Sequence, residues 1–583
     1  MAASDNFSSR YRRLIDRLTA RWIGLRSFPV TDLIEVEPRS IGSPELGRQI
    51  LSGQFVLQGH QVDLQQNALW DLSLSDQAAI LDLHGSVWLD HLAAFGGRKS
   101  GATAQAWVDL WIDRFGRGGG PGWRADITGR RVLRWLHHSV MLLDGADPSR
   151  RADFLEALAK QAVFISKRWP SVSPGLPRFE ALAGLISAAL AIKFLHPLVA
   201  PATRALAHEC RVQIDATGSI FSRNPEELLD IFSLLSWTAA ALRAAGWTPA
   251  DLHLDAIQRI APTLRMLRHK DGGLARFHGG GRGFSGRLDQ ALAASGSRGF
   301  PQSGLAMGFA RLSAGGSSVL IDAGALPQGR ASINAHASSL AFELTSGRHP
   351  VIVNCGSGRR FGEDWRRIGR GTASHSTLVI EDFVSAELGP RLWFSGQRRD
   401  ALVNGPSEFP SALSISTAGQ KFEGGHNGFL AKTGLTHART LTLSPDGDLL
   451  SGEEVLIAVT ARDKLLFEQS MRRQGLQKFS CKLRFHLHPD IVVRIHPTGG
   501  QAVLILPNSE TWSLSTDTTV KLALESSMYL ERQALQPRAT KQVVLCQSAI
   551  SYATRINWVL TRTRPPEQLR RERDREMRYA IQT

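Results

Sequence analysis

Apolar positions in the first half of the chain recur every three to four residues. Trp107, Val108, Leu110, Trp111 and Phe115 form one such stripe, and Val132, Leu133, Trp135, Leu136, Val140 and Leu143 a second. That spacing keeps the side chains on one face of a 3.6-residue turn, so both runs predict helices with a buried stripe. Further helical segments begin near Ala152, Arg178, Thr203, Pro225 and Pro249. The start at Pro225 is the best marked. Asn224 can cap the free amide groups, Pro225 suits the first helical position, and Glu227 stands where a capping box wants an acid. Helices with short connections and no strand between them predict helical hairpins stacked side by side.

From about residue 304 the period shortens to two. SSVLIDAG, SLAFELTSG, PVIVNCG, LLFEQS, CKLRFHLHPDIVVRI and RINWVLTRT read as strands, joined by Gly, Pro, Asp and Asn turns. Pro445-Asp446-Gly447, between two alternating runs, marks a hairpin. So many short strands predict a large antiparallel β-sandwich, and the fold class is multidomain, α then β. The expected division is a basic helix and extended segment over 1–60, a helical domain over 61–290 and a Gly/Ser-rich linker over 291–303. A β-sandwich over 304–560 and a solvated charged tail over 561–583 complete it. Glycines between 272 and 303 match no phosphate-binding fingerprint, because no strand precedes them and no helix clearly follows.

Length adds that 583 residues exceed what one hydrophobic core usually organises. Charge adds more: 69 Lys+Arg against 53 Asp+Glu gives a net +16, which favours a polyanionic partner. Nucleic acid is not expected, since no helix-turn-helix, RRM or zinc signature is present. The four cysteines are isolated, with no CxxC pair, which argues against a zinc ribbon or a disulfide scaffold. The opening residues lack the apolar core of a secretory signal, so a cytoplasmic location is expected, with the periplasm as the alternative. Instead, Tyr11, Leu14, Leu18, Trp22 and Leu25 recur at helical spacing among Arg10, Arg12, Arg13, Arg17 and Arg21. Such a basic amphipathic helix can touch anionic lipid or pack onto the body, and packing is the expectation. No apolar run is long enough for a transmembrane segment.

The run INAHASSLAFELTSGRHPVIVNCGSG followed by RRIGRGTASHSTLVIED resembles the signature of the heparinase II/III family, a group of polysaccharide lyases. GHNGFLAKTGLTHARTLTLSPDGDLLSGEE, RFHLHPDI and LPNSETW resemble its later part, and the closest likeness is to compact, signal-less members associated with alphaproteobacteria. The resemblance is strong over 300–530 and loose over 100–290. It implies an N-terminal (α/α) toroid packed on an antiparallel β-sandwich. The cleft between them would take an acidic, uronate-containing polysaccharide, and the reaction would be β-elimination. That chemistry needs a neutralised carboxylate, a base for the adjacent proton and an acid for the leaving oxygen.

Carried onto this chain, the family's pair of histidines two apart on a strand becomes Asn334 and His336, on one face by alternation. His336 and His375 match positions that bind a metal in some members, which implies a possible divalent, zinc-like ion; Asn354 stands where an Asp would complete the set. No cofactor is otherwise implied. The family's Asn-His pair has become Leu176 and Pro177, leaving Arg178 and Glu180 to meet substrate. Arg223 can clamp a carboxylate in bidentate fashion and Asn224 can hydrogen-bond it, a role compatible with capping. None of the four tyrosines lies where the family's catalytic Tyr belongs, so His278 is the replacement base, beside His336. Arg366, Arg367 and Arg370 add positive charge to the cleft. The leading expectation is a lyase; the alternative is a non-catalytic acidic-polysaccharide-binding or surface-polysaccharide accessory protein on the same fold.

Overall fold

Leu176–Ala191 is apolar on nearly every side, the pattern of a helix with no solvent face. In the computed structural model it forms the centre of the helical half, packed against Ala125–His137, Pro148–Arg168, Val199–Gln213 and Pro225–Ala244. The structure describes residues 2–563 apart from 29, 58–59, 65–68, 75, 298, 300–303, 395–396, 474, 498 and 532–533. Part of the expected linker and nearly all of the expected tail therefore lie outside the described residues.

The central helix meets Ala125–His137 through two glycines. A Cβ on Gly129 would lie 2.3 Å from the Glu180 carbonyl oxygen, and one on Gly184 would lie 2.5 Å from that of Gly129. Only hydrogen fits, so the two backbones touch and carry Glu180 across to Arg130. The expected stripe over 132–143 divides in two: Ala125–His137 ends at His138, and Val140 faces solvent on the short helix Ser139–Leu143.

The β half holds two eight-stranded antiparallel sheets. One runs Ser411–Ser416, Gly419–His426, Thr436–Leu443, Leu449–Ile457, Ala553–Thr563, Thr511–Thr516, Gln501–Ile505, Val492–Ile495. The other runs Lys521–Tyr529, Arg538–Ala549, Phe479–Leu487, His349–Val353, Phe342–Ser346, Ser317–Asp322, Phe309–Ala314, with Leu378–Ile380 also on Phe479–Leu487. Their inner faces form one core, where Trp558 stacks on Phe342 at 5.8 Å and meets Phe485 edge-on. This is the expected α-then-β order.

Several elements depart from the sequence reading. LLFEQS lies in the helix Ala461–Arg473, not a strand: its six residues fall within a longer run, and Phe467 and Ser470 bury one helical face. Helix Arg287–Ser295 follows the glycines where none was expected. The opening segment also carries a helix, Pro44–Leu51, and the hairpin Gln54–Leu57/His60–Asp63. Asn334 and His336 are not on a strand; they follow the 3-10 turn Gly329–Ile333, so period-two alternation does not orient them.

Candidate functional site

A cleft of about 980 Å³ opens between the two halves, lined by ten arginines and six acidic side chains. Its helical wall is built from ion pairs. Arg130 grips Glu180 with Nε at 2.7 Å and Nη2 at 2.9 Å, and reaches Asp82 at 3.4 Å. One turn on, Arg134 donates to Asp90 at 2.9 Å, and His138 approaches the other Asp90 oxygen at 2.9 Å. Burial works to raise the pKa of Asp90, but Arg134 and His138 outweigh it and hold the carboxylate ionised. Arg287 meets Asp230 at 2.5 Å.

Helix Pro225–Ala244 enters this wall by its N-terminus. Asn224 Oδ1 accepts from the amides of Glu226 at 3.0 Å and Glu227 at 3.1 Å, so its carbonyl oxygen is spent as the cap. Glu227 lines the cleft in a setting where burial pushes its carboxyl up to about 7, opposed by Ser222 and reinforced by Asp230 and Glu180.

Arg223, expected to clamp substrate, does not line the cleft. Its guanidinium donates to the carbonyls of Met307, Gly308, Gly324 and Ala325 and to Asp322 Oδ1 at 2.6 Å. Five acceptors consume its donors, and its work is to stitch the helical half to the sandwich. His278, expected as a base, is fully buried. Its Nδ1 accepts from the backbone amide of His336 at 3.2 Å, so the proton of the neutral ring sits on Nε2. That nitrogen lies 3.2 Å from Asp322 Oδ2, off the line of a good hydrogen bond. Burial lowers the pKa of His278 despite Asp322. Arg223 and His278 both hold left-handed backbone, φ 50° and 49°, a conformation that the surrounding network must impose.

His336 does line the cleft, and its Nδ1 lies 2.9 Å from His375 Nε2. His375 Nδ1 lies 2.8 Å from the Gly371 carbonyl, which can only accept, so Nδ1 carries the proton of His375. His375 Nε2 is then an acceptor and His336 Nδ1 a donor, which leaves the lone pair of neutral His336 on Nε2. Burial, then the neighbouring His375 ring, keep His336 far below the usual imidazole range, and burial brings His375 to about 4.

A zinc-like ion does not fit this pair. Asn354 Oδ1 accepts from the Ser376 amide at 3.0 Å and its Nδ2 donates to Glu343 at 3.2 Å. Among the described residues no three His, Cys, Asp or Glu side chains come together as a ligand set.

Arg366, Arg367 and Arg370 converge on Asp400. Arg366 also holds the Ile333 carbonyl at 3.0 Å, and Arg370 those of Ala335 and Ser332 at 2.7 and 2.9 Å. These arginines fix the loop that presents Asn334 and His336 to the cleft. Arg178 turns away from the cleft, onto Glu209 at 2.6 Å and the Val172 carbonyl at 3.1 Å. Of the expected site residues, the cleft gathers Glu180, Asn224, Asn334, His336, Arg366 and Arg370; Arg178, Arg223, His278 and His375 stand behind it. Sequence reasoning missed Arg130 and Arg134. Their signal was two arginines four apart, a repulsive helical pair that needs carboxylates from elsewhere in the fold.

A helical half joined to a two-sheet sandwich, with the cleft between them, is the fold of heparinase-type polysaccharide lyases. A heparinase III crystal structure superposes with a TM-score of 0.64 over 93% of this chain and 88% of that one, at 14% identity. The heparan sulfate lyase HepC of Pedobacter heparinus gives 0.52 over 95% and 89%, at 13% identity. Residues 298–559 match the family model described as Heparinase II/III-like, C-terminal. The chain is also similar to FtsZ-localized protein C of Caulobacter vibrioides, 28% identical over 544 residues, 90% of this chain and 89% of that protein.

Proposed function

We propose that this chain is an acidic-glycan-binding protein that keeps the polysaccharide-lyase fold without its elimination chemistry. One observation carries the reading: apart from His336, the groups expected to do the chemistry are spent inside the protein. Arg223 is bound by five acceptors, His278 is sealed against Asp322 and the His336 amide, and Arg366 and Arg370 hold Asp400. Elimination needs a donor left for the substrate carboxylate and a base within reach of its neighbouring proton. None of the described tyrosines lines the cleft.

Binding is better served. Arginines outnumber carboxylates along the cleft, and the half-buried Trp237 offers an aromatic face to a sugar ring. Likeness to a protein named as FtsZ-localized, extending along nine-tenths of both chains, supports a binding or placing role over a degradative one. The test is retention on immobilised heparin, compared with a basic protein of equal charge. Trp237→Ala, and Arg359→Gln with Arg360→Gln, two arginines of the cleft lining, are each expected to weaken it about tenfold, with steep loss as salt rises. Retention no better than the control, or untouched by either variant, would defeat the reading.

A second reading, a lyase of altered mechanism, is favoured by one arrangement. His336 has its Nε2 lone pair fixed by His375 and Gly371, as a base requires, and Glu227 near 7 would serve as the acid.

A further inference from the structure

The first helix, Ala2–Gly24, packs on the helix Pro148–Arg168 and on the strand Glu387–Phe394. Asp16, Ala20 and Ile23 are buried, and Arg168 Nε donates to Asp16 at 2.6 Å. A Cβ on Gly118 would lie 2.2 Å from the Ala20 carbonyl oxygen, so helix and loop touch. On the other side, Tyr11, Leu14, Leu18, Trp22 and Leu25 follow one another at helical spacing, and each is 45–88% exposed. At roughly 100° per residue the five span an arc of about 80°, opposite the buried face. The helix thus packs onto the body as expected, but through Asp16, Ala20 and Ile23 and not through this stripe. Exposed Arg10, Arg17 and Arg21 run along one edge of the stripe, and Arg26 lies over the Trp22 ring at 3.6 Å.

We propose that this stripe is a docking face for an anionic bilayer, the helix lying in the plane of the headgroups. A line of leucines with Trp and Tyr among them suits the depth of the acyl boundary. Arginines along its edge would then reach lipid phosphates and acidic headgroups, and the net charge of +16 adds attraction at longer range. Among the described residues no helix is long and apolar enough to cross a membrane, so binding would be in-plane. The proposal is independent of the cleft.

Co-sedimentation of the full chain with vesicles tests it. Binding is expected to phosphatidylcholine vesicles containing roughly 30 mol % phosphatidylglycerol, and to be weak without the anionic lipid. Leu14→Ser with Leu18→Ser, and separately Arg10→Gln with Arg17→Gln and Arg21→Gln, should each reduce it about tenfold. Thermal melting should not move, because every replaced side chain is exposed; the arginine set decides the matter even if the serine set lowers the midpoint. Absence of binding, equal binding without anionic lipid, or full binding by the serine set would overturn the proposal. So would a concentration-dependent dimer that the serine set dissociates, since a second copy would then cover the stripe.

Discussion

Arg223 shows how a residue type suited to substrate recognition can be absorbed by the fold. A planar guanidinium with five donors matches a sugar carboxylate, but it equally matches four carbonyls and Asp322 at the seam between the halves. Burial alone would raise the pKa of Asp322; Arg223 and His278 overcome it and keep the carboxylate charged. Arg223→Ala would leave that charge buried without its main partner, so the chain should lose roughly 3–5 kcal/mol in urea unfolding. An arginine serving substrate alone would leave the unfolding midpoint in place.

Glu227 gives a prediction of opposite sign. Its folded pKa, about 7, stands above the ordinary 4.5, so the folded state binds the proton more tightly than the unfolded chain. The stability this contributes is fully present below about pH 4.5 and is lost as pH rises to about 7. Glu227→Gln removes the ionisation and should exceed the wild type at pH 8 by roughly 3 kcal/mol more than at pH 4. Melting both proteins across that range checks it; parallel curves would mean the carboxyl is ordinary.

At the scale of elements, the helix Leu176–Ala191 and its partner Ala125–His137 set the cleft wall through a glycine contact. Gly129→Ala would drive a methyl into the Glu180 carbonyl, push the helices apart and loosen the Arg130–Glu180 pair. A loss of about 1–3 kcal/mol is expected by thermal or urea unfolding. Gly101 is the contrast: its nearest neighbour is Met141 Cγ at 3.8 Å, inside the helix Arg98–Phe115. There Gly101→Ala should stabilise by about 1 kcal/mol.

Much of the element order was legible, because period 3.6 and period two separate the halves without tertiary information. The cap at Asn224 was legible too, since Asn-Pro-Glu-Glu states its local chemistry. LLFEQS was not, because six apolar and polar residues fit either period. The strand Ser411–Ser416 went unread because it is exposed on both faces and shows little alternation. The site was less legible than the fold. Family matching located His336 and the helix Glu363–Arg370 with its arginines, but whether an arginine meets substrate or a buried carboxylate depends on partners far away in sequence, as Arg223 and Asp322 show.

For the whole molecule, two halves with separate cores meet along a seam of buried charge, and the cleft above it is positive and partly aromatic. The heparinase III-like fold explains where the cleft lies. It does not by itself supply the reaction, because function depends on the groups left facing the ligand. The most direct measurement follows the ultraviolet absorbance of an unsaturated uronate while purified protein stands with a panel of acidic polysaccharides. The proposed binding role predicts a flat trace from samples that retain salt-sensitive binding to the same glycans. A rise that His336→Ala abolishes would contradict it and establish a lyase.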